Sequence, residues 1–383
     1  MDETISGADL EFVAPEFRFG DDATAALPDV LSRLDVERPL VVTDEGVEAA
    51  GVLDAALAAY DGPFETYVAA TEPGTDDFDD LPTDVDGVVA VGGGSCLDTA
   101  KVAALRLAHD GHPAEFLGTG KLSRPVAPLV AVPTTSGTGS QSTQTAVVHH
   151  EGVKRGISDE RLRPDYALVD PTLTYGLPRG VTARSGFDAF VHALESLTAR
   201  DYRWIGPREI TYQGANPVSR PLSRRALHLV HGSLERATYD GDDRAARRGM
   251  SLGSHLAGLA FSNAGLGAVH ALASAVGGMV DQPHGACLAV SVEPGLRYNL
   301  PVRREEYAAV ARDIGVGDSA EALIAECARL RDALGLPDSV AAFGLDRSDA
   351  DDVVERTLVQ ERRLVTNPRE VTEDLRSVVV ESI

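Results

Sequence analysis

Residues 87–108 read GVVAVGGGSCLDTAKVAALRLA. The first five, Gly87–Val91, are a short run rich in β-branched apolar side chains, the pattern of a buried strand. Gly92, Gly93, Gly94 and Ser95 follow at once, and from Leu97 to Ala108 the apolar residues recur at helical spacing. A strand running through a glycine turn straight into a helix is half of a βαβ unit. Glycines let a backbone come close to a pyrophosphate, and a helix N-terminus offers free N–H groups and the positive end of a dipole. This is not the GxGxxG fingerprint, and such a turn is also often only a turn. Asp98 and Lys101 lie on the first turns of the helix.

The same alternation extends outward. Pro39–Thr43 (PLVVT), Pro128–Val132 (PLVAV) and Tyr166–Val169 (YALV) read as further buried strands, with a helical pattern at Val52–Tyr60. Strands alternating with helices imply a parallel sheet covered on both faces. Pro171 and Pro178 bracket a polar connection, and beyond Ala183 the pattern is helical. Helices are predicted at Ser185–Thr198, Ser223–Thr238, Arg244–Leu259, Ala268–Met279, Arg304–Asp313, Ala320–Leu334 and Asp349–Leu358. Arg200–Ser223, rich in Pro, Arg and aromatic residues, reads as an irregular loop. The expected architecture is a Rossmann-like parallel-sheet α/β domain over 1–180 and an all-α domain over 181–383. A ligand site belongs in the cleft between them.

Asp and Glu number 59 against 35 Lys and Arg, a net charge of -24, and the lysines are only Lys101, Lys121 and Lys154. Such a surface repels nucleic acid and anionic membranes and suits high salt, where counterions screen self-repulsion. An ordinary acidic cytosolic enzyme has the same sign of charge. There is no run of 18 apolar residues to span a membrane, and the N-terminus does not read as a signal peptide. The cysteines Cys96, Cys287 and Cys327 are odd in number with no CxxC spacing, so a reducing cytoplasm is expected.

Two more features suit a dinucleotide. Residues 133–140, PTTSGTGS, follow an apolar strand and offer Thr134, Thr135 and Thr138 as a close polar wall, although a plain loop has the same composition. Asp44 ends the strand PLVVT, where a carboxylate accepts ribose hydroxyls and repels a 2′-phosphate, favouring NAD over NADP; it also suits a helix N-cap. Asp188 and His192 are i and i+4 on one helix, His270 lies on another, and His284 follows in QPHGA. Each histidine alone is as well explained by packing. Together, three imidazoles and a carboxylate suit Zn²⁺ or Fe²⁺.

These motifs together resemble the iron-containing, or group III, alcohol dehydrogenases. The resemblance is carried by VGGGSCLDTAK (91–101), PTTSGTGS (133–140), LRPDYALVDPTLTYGLP (162–178), GFDAFVHALES (186–196), AGLAFSNAGLGAVHALASAVGGMVDQPHGACLAV (257–290) and TNPR (366–369). It implies a two-domain architecture like that of dehydroquinate synthase, NAD on the first domain and a metal in the cleft. It implies Asp188, His192, His270 and His284 as ligands, Gly92, Gly93, Gly94, Ser95, Asp98, Thr134, Thr135, Thr138 and Lys154 toward the cofactor, and a small alcohol or carbonyl substrate. The metal would act as a Lewis acid on the substrate oxygen. A homodimer or larger assembly is expected. Ser274 stands where many members carry a second histidine credited with proton transfer, and Gln141 replaces a usual Glu. Ser274 thereby becomes a candidate in the proton relay. Rival readings are a maleylacetate reductase-like ketone reductase, served by Arg200, Arg203, Arg208 and Arg220, a dehydroquinate synthase-like lyase, and a non-catalytic binding protein.

Overall fold

The computed structural model describes residues 10–205 and 212–382. Arg208 lies outside them.

Six strands form one wholly parallel sheet in the order β1-β9-β6-β4-β2-β3. They are β1 (Glu16–Phe19), β2 (Pro39–Thr43), β3 (Glu65–Val68), β4 (Gly87–Gly92), β6 (Leu129–Pro133) and β9 (Tyr166–Val169). β2, β4 and β6 are buried at every residue, which is why their sequences are continuous apolar runs rather than alternating ones. A second, small sheet joins β5 (Gly118–Thr119), β8 (Val153–Ser158) and β7 (Thr145–His150). β7 and β8 form an antiparallel hairpin closed by Glu151 and Gly152, both at positive φ (51° and 76°), as a two-residue primed turn requires.

The helices are α1 (Leu27–Arg33), α2 (Glu45–Ala49), α3 (Val52–Leu57), α4 (Gly94–Ala108), α5 (Arg179–Thr198), α6 (Ser219–Tyr239), α7 (Arg244–Ala264), α8 (Ala268–Gly277), α9 (His284–Asp313), α10 (Ala320–Ala333), α11 (Ala350–Leu358), α12 (Glu361–Leu364) and α13 (Arg376–Glu381). From α5 onward, α12 excepted, they share one apolar core, through residues such as Phe187, Phe190, Leu234, Met250, Leu288 and Leu323. The parallel-sheet α/β portion followed by a helical portion is the architecture the sequence predicts.

Chain order along the sheet reverses between β2 and β4: β3 lies on one side, β6 and β9 on the other. Ligands in open α/β sheets bind outside the carboxyl ends of the strands at such a reversal. Asp44 follows β2 there, and the triple glycine follows β4.

The structure departs from the sequence reading in detail. β1, β3 and the β7–β8 hairpin were not expected. Helix α9 begins at His284, twenty residues before the predicted Arg304, because Pro294 and Pro301 sit inside it. Its backbone leaves helical geometry only at Arg303 (φ -131°, ψ 16°). The irregular segment after Arg200 ends four residues early, at Ser219.

A candidate metal centre beside a dinucleotide cradle

Helix α5 presents Asp188 and His192 on one face, as the i, i+4 spacing requires. His192 Nδ1 lies 3.4 Å from Asp188 Oδ1. Helix α8 brings His270 Nε2 to 3.4 Å from the same oxygen, and His284, the first residue of α9, brings Nε2 to 3.9 Å. Donor atoms of Asp188, His192 and His270 all lie within 4.8 Å of one another, and all three residues are buried. The rings of His192 and His270 stack at 4.5 Å, and Phe261 closes the other face of His192 at 4.1 Å.

Glu195, one further turn along α5, was not singled out from the sequence. It is at i+7 from Asp188, so the signal was present: 188, 192 and 195 fall on one helical stripe. Its Oε2 accepts from His270 Nδ1 at 2.5 Å, and its Oε1 accepts the Val269 N–H at 2.8 Å. Glu195 therefore caps the start of α8 and leaves His270 Nε2 as the free lone pair facing Asp188.

The electrostatics are those of a ligand set. Burial alone would raise the Asp188 pKa, but His192, His270 and His284 around it hold the carboxyl below its usual range. Burial pushes His192 down to about 3, and His284, partly exposed at the cleft, is lowered by the desolvation there and by the nearby His270 and Arg363, so both rings are neutral. Burial also acts downward on His270, yet the Asp188 carboxylate beside it and its bond to Glu195 outweigh it and raise the pKa. His192 Nδ1 is buried with no hydrogen-bond partner, while the Gly137 carbonyl bonds the same ring. A buried lone pair with no donor, beside a carboxylate and two more imidazoles, fits a divalent cation.

The cofactor candidates gather at the switch point. A Cβ on Gly92 would stand 3.3 Å from Asp44 Oδ2, one on Gly93 3.4 Å from Thr135, and one on Gly94 2.5 Å from Thr138. The loops after β2, β4 and β6 therefore touch, with Gly93 capping α4. Asp44 also accepts the Val47 N–H at 2.9 Å, so it caps α2. Ser95 Oγ donates to the Thr71 carbonyl at 2.5 Å, and the Thr134 N–H donates to the Gly92 carbonyl at 3.0 Å. Asp98 faces inward instead: it accepts from Ser140 Oγ at 2.6 Å and the Val147 N–H at 3.0 Å. Lys101 is wholly buried, donating to Ser140 Oγ (2.6 Å), Thr143 Oγ1 (2.9 Å) and the Thr145 carbonyl (2.7 Å). Both brace the threonine loop against the hairpin. Lys154, half-exposed on β8, pairs with Glu72 and acts electrostatically on His284. Ser274 lies one turn beyond His270 on α8 and is half-buried.

Among the described residues, the arginines that would serve a dicarboxylate reductase, Arg200, Arg203 and Arg220, lie elsewhere. Arg203 and Arg220 pair with Asp201. With Arg200, Arg224 and Arg303 they line a cavity of about 660 Å³ at the C-terminal end of α5, and none of the four candidate ligands lines it. Among the described residues, no single helix is long and apolar enough to cross a membrane.

Comparison with known proteins bears on the whole chain. Residues 14–171 match the family described as iron-containing alcohol dehydrogenase, and residues 182–378 match the C-terminal part of the Fe-containing alcohol dehydrogenase family. The chain is 34% identical over 382 residues to a 4-hydroxybutyrate dehydrogenase of Cupriavidus necator, covering 91% of this chain and 93% of that protein. It is 30% identical over 392 residues to an NAD-dependent methanol dehydrogenase of Bacillus methanolicus, covering 96% and 98%. A solved 1,3-propanediol oxidoreductase superposes with a TM-score of 0.90 at 30% identity, over 98% of this chain and all of that one (100%).

Proposed function

The chain belongs to the iron-containing alcohol dehydrogenase family, and from that premise we propose that Asp188, His192, His270 and His284 hold its divalent metal and that this metal is Fe²⁺. The protein is a metal-dependent, NAD-linked oxidoreductase of alcohols. The observation that carries the site assignment is the unpartnered His192 Nδ1, buried 3.4 Å from Asp188 Oδ1.

Bound there, a divalent cation supplies Lewis acidity toward the substrate oxygen, and NAD accepts the hydride. The protein's part is positional. Glu195 fixes the tautomer and direction of His270, and Phe261 keeps water off His192. The N–H groups of the Gly92–Ser95 turn, at the start of α4, receive the pyrophosphate, with Thr135 and Thr138 as the opposing wall. Asp44 meets the adenosine ribose and disfavours a 2′-phosphate. Lys154 reaches the cofactor from the hairpin. Ser274 passes the hydroxyl proton toward solvent, in the place of a stronger base. The names of the relatives span neutral and anionic alcohols, so the substrate must be read from the site itself.

The same donor set suits Zn²⁺. NAD reduction by a panel of primary and secondary alcohols, in molar salt, before and after chelation and with each metal added back, tests the assignment. Activity restored by Fe²⁺ beyond Zn²⁺ supports it; activity surviving with no measurable metal overturns it. We further propose salt adaptation, on the strength of the net charge of -24, and, from the family resemblance and the three free cysteines, a cytoplasmic homodimer or larger homo-oligomer.

A further inference from the structure

The short helix α12 crosses the mouth of the cleft. On one side Asn367, just past it, accepts the Ala268 N–H of α8 at 2.9 Å, one residue before the Val269 N–H that Glu195 accepts. On the other side Arg362 Nη1 donates to Thr145 Oγ1 at 3.0 Å, at the root of the hairpin that carries Lys154, and its guanidinium lies 5.7 Å over the Tyr212 ring. Between these anchors sits Arg363, half-buried. Its Nη1 donates to Gln360 Oε1 at 2.7 Å. Among the described residues no carboxylate comes within 4 Å of Arg362 or Arg363. Thr366 Oγ1 donates to the Arg363 carbonyl at 3.3 Å and to the Leu266 carbonyl at 2.6 Å, so Arg363 sits beside the start of α8, the helix that carries His270, and its charge acts on His284 and Glu195.

The chain has 59 acidic residues against 35 basic ones, and exposed arginines such as Arg33, Arg38, Arg304 and Arg376 hold a carboxylate, whereas Arg362 and Arg363 are among those that do not. Two adjacent arginines left without one, at the edge of a cleft, leave a local positive potential in a strongly negative protein. A guanidinium kept unpaired there recognises a planar anion through a fork of donors.

We propose that Arg363 determines substrate class, binding the distal anionic group of an alcohol or aldehyde whose other end reacts at the Asp188–His270 centre. The substrate is then a short hydroxy- or oxo-acid with a carboxylate or sulfonate. Arg362 is the outer support, held by Thr145 and Tyr212. Burial lowers the Arg363 pKa to about 10, which leaves it charged throughout the working range. This inference rests on the alcohol dehydrogenase reading above.

The test compares kcat/KM of the metal-loaded enzyme for 4-hydroxybutanoate and for 1-butanol, with 3-hydroxypropane-1-sulfonate in parallel to tell carboxylate from sulfonate. The wild type should favour an acid over 1-butanol by roughly 10- to 100-fold, the worth of a hydrogen bond to a charged group. Arg363→Leu should collapse that ratio toward one through a raised KM for the acid, and Arg363→Lys should restore part of it. Butanoate titrated calorimetrically into the enzyme–NAD⁺ complex should bind about tenfold more weakly to Arg363→Leu, which reports binding without turnover. Wild-type turnover of 1-butanol with no preference for either acid overturns the inference and leaves the dehydrogenase reading intact. An acid preference unchanged in Arg363→Leu does the same. Reduction of NAD⁺ by none of the three, with Fe²⁺ or Zn²⁺ present, removes both.

Discussion

Glu195 and His270 are joined twice: the carboxylate accepts the ring Nδ1–H at 2.5 Å and the backbone N–H of the same residue at 3.3 Å. One side chain thus sets both where α8 starts and which way its histidine points. Glu195→Ala should weaken metal affinity by about 10- to 100-fold, the usual cost of losing a partner behind a metal-bound imidazole. Glu195→Gln, which retains an oxygen for the Val269 N–H, should recover folding stability more than metal affinity. Metal dissociation constants set beside the melting temperature of metal-free protein separate the two effects. Parallel losses in both would reduce Glu195 to a helix cap.

Gly93 discriminates between a phosphate cradle and a plain turn. An added Cβ meets only Thr135, at 3.4 Å, which is ordinary contact, so Gly93→Ala should leave the melting temperature within about 2 °C. The methyl would nevertheless stand at the mouth of the α4 N-terminus, and KM for NAD should rise about tenfold or more. An unchanged KM would move the pyrophosphate off this turn. Gly94→Ala is the contrasting control, since its Cβ would overlap Thr138 at 2.5 Å and destabilise the fold itself.

Asp44 serves two roles that one substitution separates. Asp44→Ser keeps an N-cap oxygen for Val47 while removing the charge that opposes a 2′-phosphate. The ratio of kcat/KM for NADP over NAD should increase by roughly tenfold or more, with little change in stability. Steady-state kinetics with both nucleotides give the answer, and an unmoved ratio would place cofactor selection elsewhere.

His255 gives the fold an acid-sensitive point apart from the metal ligands. It is fully buried, its ring centroid 4.5 Å from that of Phe17 at a tilt of 55° and within 3.2 Å of Ser142 Oγ, and burial lowers its pKa from 6.5 to about 4. The folded pKa is the lower one, so below 6.5 the unfolded chain takes up a proton that the folded chain refuses. The associated stability is complete above pH 6.5 and declines as pH falls toward 4, by up to about 3 kcal/mol. Urea titrations of metal-free protein between pH 7 and 4.5 should show this decline, and His255→Gln should flatten it. Equal slopes in the two proteins would assign the acid sensitivity to other groups.

The sequence was most informative where burial was complete. β2, β4 and β6, closed on both faces, announce themselves as unbroken apolar runs, and Asp188 with His192 follows from helical spacing alone. β1 and β3 are edge strands, EFRF and ETYV, with half-exposed residues that break any such run. β8, VKRGIS, is exposed along its first half for the same reason. Pro294 and Pro301 hid the front of α9, so His284 was expected in a connection and is instead the first residue of a helix. Arg363 carried no local signal, because its meaning comes from Asn367 meeting α8 and Arg362 meeting the hairpin, contacts about 100 and 217 residues apart in sequence.

The four candidate ligands differ in how firmly they are held. Asp188 and His192 project from the middle of α5 and His270 from the capped first turn of α8, all three buried, whereas His284 follows three exposed residues, 281–283, and its side chain is 44% exposed. The centre is therefore a rigid three-point socket with one swinging latch. Ion exchange should be gated at His284, with entry and escape through its side of the cleft. A dinucleotide laid over that opening would trap the ion kinetically, so chelators should strip the free enzyme much faster than the NAD-bound one.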